Sequence, residues 1–186
     1  MKVSHTKLKG CVIIEPRVFG DERGFFIETF QVARYEQEAG IDLPFVQDNH
    51  SRSVRGVLRG LHFQKTKPQG KLVRVVRGEV YDVAVDIRKG SATFGEWEGV
   101  ILSEDNKKQF WVPPGFAHGF VVLSGTADFE YKCTDYYDHS DEGSILWSDP
   151  DLGIHWPKTE VMLSDKDSKA LRLKDLSFEK LLKYDI

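Results

Sequence analysis

Residues 71–87 have the sequence KLVRVVRGEVYDVAVDI, in which two runs rich in β-branched residues flank Gly78. Side chains alternate along the second run, Glu79–Ile87, and both aspartates, Asp82 and Asp86, fall on the same face. Alternation with a period of two is typical of a β-strand that turns one face inward. The stretch therefore predicts two strands, one on either side of the glycine.

The same pattern recurs along the chain, where glycines separate short β-branched or aromatic runs at regular intervals. Such spacing predicts an all-β sandwich or barrel. The predicted strands are Phe25–Phe30, Val57–Phe63, Lys71–Val76, Glu79–Ile87, Trp97–Leu102, Gln109–Val112, Phe120–Leu123 and Asp128–Cys133. Two helices are expected: Gln31–Ala39, stopped by Gly40, and a C-terminal helical tail in which Phe178, Leu181 and Leu182 recur at helical spacing.

Composition restricts the class of protein. The 186 residues, 40% hydrophobic and 30% charged, predict one globular domain over 1–186 and exclude a disordered or membrane class. A net charge of −3 argues against a nucleic-acid partner, and the chain has neither a signal peptide nor an apolar run long enough to span a membrane. The cytoplasm is predicted. Cys11 and Cys133 lack CxxC spacing and are expected to be reduced, buried thiols.

Two histidines lie within otherwise apolar segments. Leu58–Gln64 reads LRGLHFQ, and strict alternation places Arg59 on one face and His62 with Gln64 on the other. In the second segment, a Pro-Pro-Gly turn delivers His118 at the start of a strand. Hydrogen-bonded core or capping imidazoles explain both histidines as well as a catalytic role does.

Other polar segments have structural explanations of their own. Tyr131–Tyr137 is a strand end whose tyrosines belong to a core or stack on a planar ligand. Lys71 suits a solvated strand end, and Gly20–Phe26 suits a surface hairpin. Ser164–Asp167 has the pattern of a helix cap.

Taken in order, these segments resemble one family, the dTDP-4-dehydrorhamnose 3,5-epimerases, from Val12 to Asp167. The matching motifs are GDERGFF (20–26), FVQDNHS (45–51), VLRGLHFQ (57–64), GKLVR (70–74), FAHGF (116–120), Tyr131-Lys132 and GSILW (143–147). The resemblance implies a cupin-type jelly-roll barrel and a homodimer that needs no metal or other cofactor. Metal-binding cupins typically place a second histidine two positions after the first, where this chain has Gln64. A lone imidazole pair without a carboxylate is a poor site for zinc or iron.

The implied reaction inverts C3 and C5 of a thymidine-diphosphate-linked 4-keto-6-deoxyhexose. Protons beside the C4 ketone leave to give an enolate, so the site needs a base, an acid and a group that stabilises the enolate oxygen. By resemblance, His62 is the proton acceptor and Asp167 orients it. Tyr131 is the proton donor, and Lys71 holds the developing oxyanion.

The resemblance also implies a set of substrate-binding residues. Guanidinium and ammonium groups suited to the diphosphate come from Arg23, Arg59 and Lys166. By the same resemblance, Gln47 and Asn49 contact the pyrimidine edge or the sugar, and Tyr137 stacks on the thymine. Further binding positions are Glu28, His118 and Glu142. In swapped dimers of this fold, the arm that carries Arg23 and Glu28 serves the partner's site.

Several alternatives stay open at this point. Relatives within the superfamily invert one centre only, or act as 3,4-ketoisomerases on the same nucleotide sugar; Gln64 argues against the ketoisomerases, which usually carry a second histidine. A metal-dependent cupin dioxygenase and a non-catalytic sugar-nucleotide binding module belong to other functional classes.

Overall fold

The computed structural model describes residues 1–177, in which thirteen strands and two short α-helices are assigned. In chain order, the elements are β1 (Lys2–His5), β2 (Val12–Glu15), β3 (Val18–Asp21), β4 (Gly24–Ile27), α1 (Val32–Ala39), β5 (Gln47–Val54), β6 (Leu58–Gln64), β7 (Lys71–Arg77), β8 (Glu79–Asp86), β9 (Trp97–Ser103), β10 (Gln109–Val112), β11 (Phe116–Val122), β12 (Thr126–Cys133), β13 (Glu142–Ser144) and α2 (Asp165–Ser168), followed by a 3₁₀ helix at Leu173–Asp175.

Two large antiparallel sheets face each other. One has the strand order β1-β2-β10-β7-β12-β5, the other β13-β6-β11-β8-β9, and β3 and β4 form a separate hairpin. The main core lies between the sheets, where Val73, Phe110 and Phe129 from the first meet Leu102 and Phe116 from the second. Side chains that alternate along each strand supply this core, as expected for a sandwich. The all-β architecture predicted from the sequence is confirmed.

Both faces of β8 are buried, which corrects the expectation of a single inward face. Asp82 and Ala84 are fully enclosed on one side and Val83 and Val85 on the other. The outer side is covered because the C-terminal segment packs Leu152, Leu173 and Trp156 against the five-stranded sheet. Asp82 is therefore a buried carboxylate in the interior, not a solvent-facing residue.

Helix α1 agrees with its sequence signals. The Gln31 side chain caps it by accepting a hydrogen bond from the Arg34 amide, and Gly40 ends it with a left-handed φ of 66°. Tyr35 and Ala39 pack against the outer face of the six-stranded sheet. No helix within residues 1–177 is long and apolar enough to cross a membrane. The predicted closing helix around Phe178–Leu182 lies outside the described residues.

The sequence expectations missed five strands, β1, β2, β3, β5 and β13, and several bounds of the predicted strands differ from those observed. The strand predicted for Phe25–Phe30 ends at Ile27, and the one predicted to begin at Phe120 begins at Phe116, so His118 lies within it. Strand β5 was not predicted, because its sequence QDNHSRSV is polar. It pairs on one side only, at the edge of the six-stranded sheet, where polar side chains are tolerated.

A bulge in β6 changes which side chains share a face. His62 pairs with His118, and Arg59 pairs with Phe120, so between these pairs two residues of β6 oppose one of β11. Gly60 lies inside the bulge at φ 129°, where an added Cβ would come within 2.6 Å of the Gly119 Cα. Paired residues point to the same side of a sheet, so Arg59 and His62 both face inward. The strict alternation that separated Arg59 from His62 was wrong.

Candidate active site

His62 forms a hydrogen-bonded pair with Asp167. The His62 Nε2 atom lies 2.6 Å from Asp167 Oδ1, although the two residues come from β6 and from the short helix α2. Burial alone would raise the pKa of Asp167, but hydrogen bonds from His62 and Ser164 hold it below its ordinary value. The carboxylate therefore accepts from Nε2–H, and neutral His62 keeps Nδ1 unprotonated. That nitrogen is available to take up a proton.

The Ser164–Asp167 segment combines its two predicted roles. Ser164 is the N-cap of α2 and accepts a hydrogen bond from the Asp167 amide at 3.2 Å. The cap fixes the start of a four-residue helix that would be too short to persist alone. Asp167 is buried, so the cap and the bond to His62 hold its carboxylate in one place.

Glu142 lies at the centre of the polar cluster. Its Oε1 atom is 2.7 Å from Lys166 Nζ and 4.0 Å from His62 Nδ1, and Oε2 accepts a hydrogen bond from the Tyr137 hydroxyl at 3.2 Å. Burial tends to raise the pKa of Glu142, but Lys166 and His62 outweigh it and lower the pKa. The structure thus brings three other predicted site residues, Lys166, His62 and Tyr137, around the Glu142 carboxylate.

Tyr131 and Lys71 face this cluster from the six-stranded sheet. Burial raises the pKa of Tyr131 to about 12, against the opposing charge of Arg59. Burial also holds the pKa of Lys71 below its ordinary value, although the negative charges of Asp82 and Glu142 oppose this shift. Glu142 acts on both groups, which places them in one electrostatic environment with His62.

His118 makes a second histidine–carboxylate pair, with a partner that the sequence interpretation missed. His118 Nε2 lies 2.9 Å from each Asp82 oxygen, and the imidazole ring stacks on Phe129. Both residues are buried. The available signal was the acidic residue at an inward position of the apolar strand β8.

The remaining polar positions line the edge strand. Gln47 donates to Asn49 Oδ1 at 3.0 Å, and Asn49 donates to Cys133 Sγ at 3.6 Å. Arg59 donates to Ser53 Oγ at 3.1 Å. Cys133 and Cys11 are free and buried, as predicted.

Two predicted binding residues do not join this cluster within the chain. Arg23 lies at the hairpin of β3 and β4, pairs with Asp21, and has a side chain 84% exposed. Glu28 pairs instead with Arg34 of α1. Both lie outside the space between the two sheets.

The clustered donors are engaged in pairs rather than in a ligand set. Among residues 1–177, no group of three or more His, Cys, Asp or Glu side chains is placed to hold a metal ion. The donor chemistry of the site is that of proton transfer and hydrogen bonding.

Comparison with known proteins identifies the family. Residues 5–175 match the family model of dTDP-4-dehydrorhamnose 3,5-epimerase. The chain belongs to this family. The family's member from Escherichia coli K12 is 52% identical over 184 residues, with 98% of this chain and all of the relative covered. The resemblance inferred from the sequence motifs is confirmed.

Solved structures of the family extend the match to three dimensions. The dTDP-6-deoxy-D-glucose-3,5-epimerase of Legionella pneumophila Philadelphia 1, in complex with dTDP-4-keto-L-rhamnose, is 58% identical and superimposes with a TM-score of 0.98 over 100% of this chain and 99% of that chain. A 3'-monoepimerase of Streptomyces bikiniensis in complex with dTDP-quinovose is 37% identical, with a TM-score of 0.86 over 91% and 86%. The predicted cupin-type jelly roll is confirmed.

Proposed function

We propose that this family member is an isomerase that epimerises C3 and C5 of dTDP-4-dehydro-6-deoxy-D-glucose to give dTDP-4-dehydro-L-rhamnose, for dTDP-L-rhamnose biosynthesis. One observation carries the proposal: His62 with Asp167 comes from one side of the sandwich, and Tyr131 with Lys71 comes from the other. Inversion at carbon needs a base on one face of the sugar ring and an acid on the opposite face.

Proton abstraction falls to His62. The C3 and C5 hydrogens are adjacent to the C4 ketone, so loss of either proton gives an enolate. His62 Nδ1 accepts the proton, and the resulting imidazolium is stabilised by Asp167 at 2.6 Å and by Glu142 at 4.0 Å. Positioned general bases contribute about 10²–10⁴-fold to such steps.

Lys71 and Tyr131 complete the reaction from the opposite sheet. Protonated Lys71 stabilises the enolate oxygen at C4, where charge develops. Tyr131 then returns a proton to the face opposite His62. Burial raises its pKa to about 12, so the phenol keeps its proton at neutral pH and gives it up only to a strong base such as the enolate carbon. Each inversion leaves His62 protonated and Tyr131 deprotonated, and proton exchange with solvent resets both groups, so the transfers balance without a cofactor.

The nucleotide binds beside this centre. Arg59 and Lys166 supply positive charge to the diphosphate, and Gln47 and Asn49 line the wall of the edge strand. Tyr137, half exposed, stacks on the thymine, while Glu142 and His118 orient polar groups of the substrate. Such a small-molecule pocket needs only a local excess of positive charge and no surplus over the whole chain.

The functional unit proposed is a homodimer. Val18, Phe19, Phe25 and Phe26 of the β3–β4 hairpin are exposed, which is a large apolar surface for a free hairpin. Arg23, on the same hairpin, has no place in its own chain's cluster. An arm that packs across a second copy would bury the aromatic rings and deliver Arg23 and Glu28 to that copy's site.

Solvent exchange tests the reaction and its alternatives. With the nucleotide-linked 4-keto sugar in deuterated water, double epimerisation incorporates deuterium at both C3 and C5, read by NMR. Label at one position would identify a single-centre epimerase, and binding without exchange would identify a non-catalytic module. Stoichiometric iron in protein purified without a chelator would instead favour the dioxygenase class.

Tyr131→Phe sharpens the same experiment. The variant keeps the ring but lacks the phenolic hydroxyl that would donate the proton. Deuterium exchange initiated by His62 is therefore expected to be faster than net inversion. Titration of dTDP into the variant checks that nucleotide binding is retained. Inversion at the wild-type rate would remove Tyr131 as the donor.

A further inference from the structure

Tyr137 lies in the segment between β12 and β13, and two glutamines from opposite sheets form hydrogen bonds with the backbone of this segment. Gln64 of β6 accepts a hydrogen bond from the Asp138 amide at 2.7 Å and donates to the Tyr136 carbonyl at 3.2 Å. Gln47 of β5 accepts from the Tyr137 amide at 2.9 Å. Backbone groups of three consecutive residues are therefore bonded to side-chain amides.

Gln64 is built for this role more completely than Gln47. It is 4% exposed, and its Nε2 also donates to the Lys67 carbonyl at 2.7 Å, which ties a second loop to the first. One side chain thus serves two acceptors and one donor. A primary amide supplies two N–H donors together with an acceptor oxygen, whereas a carboxylate lacks the donors and an apolar side chain lacks both.

The Tyr137 hydroxyl has its own partner beside this position. Gln64 lies directly opposite Glu142 in the pairing of β6 with β13. Glu142 Oε2 in turn accepts from the Tyr137 hydroxyl at 3.2 Å. Gln64 therefore bonds to the backbone on both sides of Tyr137, while Glu142 bonds to its hydroxyl.

We propose that Gln64 is a positioning residue for nucleotide recognition, which fixes Tyr137 in the orientation that receives the base. The inference rests on the proposed stacking role of Tyr137. All three hydrogen bonds of Gln64 go to backbone groups in the loops. Without these three hydrogen bonds, Tyr137 must be ordered each time the nucleotide binds, which costs binding free energy. The His62–Asp167 pair stays in place. This predicts a change in KM rather than in kcat.

Gln64→Met is the decisive variant, and Gln109→Met is its matched control. Gln109 is a second buried glutamine with two side-chain bonds, to Tyr35 and Thr29, on the outer face of the other sheet. Both variants remove a buried amide and lower thermal stability. Gln64→Met is expected to raise KM for the nucleotide sugar about tenfold with kcat within about twofold, whereas Gln109→Met leaves KM unchanged. An unchanged KM in Gln64→Met, or equal KM effects in both variants, would overturn the proposal.

Tyr137→Ala separates this inference from the function on which it rests. If Tyr137→Ala leaves KM unchanged, the stacking role itself fails. If it raises KM and Gln64→Met does not, Gln64 alone is excluded. The proposal expects Gln64→Met to add little to KM once Tyr137→Ala is present, because both changes remove the same interaction.

Gln64→Glu keeps the test decisive if the methionine variant does not fold. The carboxylate retains the acceptor for the Asp138 amide but loses the donors to the Tyr136 and Lys67 carbonyls. KM is expected to rise with kcat retained. A fall in kcat at constant KM would contradict the positioning role.

Discussion

Two histidine–carboxylate pairs lie side by side in this protein, since His62 and His118 are directly paired across β6 and β11. Their carboxylates differ in origin. Asp167 comes from a helix 105 residues along the chain and offers one oxygen at 2.6 Å, whereas Asp82 comes from the adjacent strand β8 and offers both oxygens at 2.9 Å. The side chains are 24% and 4% exposed in the first pair, and 7% and 0% in the second.

In the proposed mechanism, the difference separates a pair that exchanges protons from one that only holds the structure. His62 has a second nitrogen 4.0 Å from Glu142 Oε1, and its side chain is partly exposed. His118 is stacked on Phe129, with its Nε2 shared between two oxygens of a fully buried carboxylate. Burial and shared bonding favour rigidity over reactivity.

Removing the two imidazoles gives opposite signatures. His62→Ala is expected to lower kcat for exchange at C3 and C5 by about 10²–10⁴-fold, because the base is lost, with dTDP affinity and thermal stability little changed. His118→Ala leaves the Asp82 carboxylate buried without its hydrogen-bond donor and is expected to destabilise the fold by about 3–5 kcal/mol. Its rate per folded molecule falls less than in His62→Ala. Deuterium exchange and denaturant unfolding measure the two quantities, and the reverse order of rates would refute the assignment.

Replacing the carboxylates by amides tests orientation. In Asp167→Asn, the amide can donate to His62 Nε2 and hold the tautomer whose Nδ1 carries a proton, so kcat is expected to fall about 10²-fold. Asp82→Asn changes a buried bond and is expected to cost about 1–3 kcal/mol of folding free energy while kcat stays within about threefold. Time-course NMR assays measure kcat, and denaturant unfolding measures the folding free energy. Similar losses of kcat in the two variants would mean that the two pairs do not differ in function.

Local patterns predicted much of the fold but little of this comparison. The β-branched runs around Gly78 located β7 and β8, and good helix formers followed by Gly40 located α1, because these signals depend only on neighbours in the chain. The bulge at Gly60 depends on the opposing strand β11, and no period within Leu58–Gln64 reveals it.

The site likewise combines features that local sequence patterns predict with features that depend on distant parts of the chain. His62 stood out as a polar residue in an apolar strand, but its contact with Asp167 spans 105 residues and entered the sequence interpretation only through family resemblance. Asp82 was not recognised as the partner of His118, because that contact joins two strands 36 residues apart and the burial of Asp82 depends on the packing of the two sheets. The Gln64 side chain bonds to backbone groups, whose positions no residue pattern encodes.

Asp82 is also expected to act at a distance, through Lys71. Burial lowers the pKa of Lys71, and the negative charge of Asp82 opposes that shift. Enolate stabilisation needs the protonated amine, so kcat/KM falls as pH rises through this pKa. Asp82→Asn removes the opposing charge and is expected to move the alkaline limb to lower pH, whereas Asp167→Asn leaves that limb in place.

A pH–rate profile of each variant from pH 6 to about 10.5 checks this, because unperturbed lysine titrates at about 10.4. Lys71→Arg is the control, since an arginine stays charged and removes the limb altogether if Lys71 causes it. A limb that moves equally in Asp82→Asn and Asp167→Asn would show that another group titrates.

The smallest effect concerns how each carboxylate is anchored. Asp82 lies in a strand bonded on both sides, to β9 and β11, but Asp167 depends on a four-residue helix capped by Ser164. Ser164→Ala removes the cap, which costs about 0.5–2 kcal/mol of local helix stability. Because the bond from His62 also holds Asp167, only part of the orientation is lost, and kcat is expected to fall a few-fold without a change in KM. Ser164→Thr keeps a capping hydroxyl and should retain the wild-type rate; equal rates in the alanine and threonine variants would mean that His62 alone fixes its carboxylate, and the two pairs would then differ in exposure but not in anchoring.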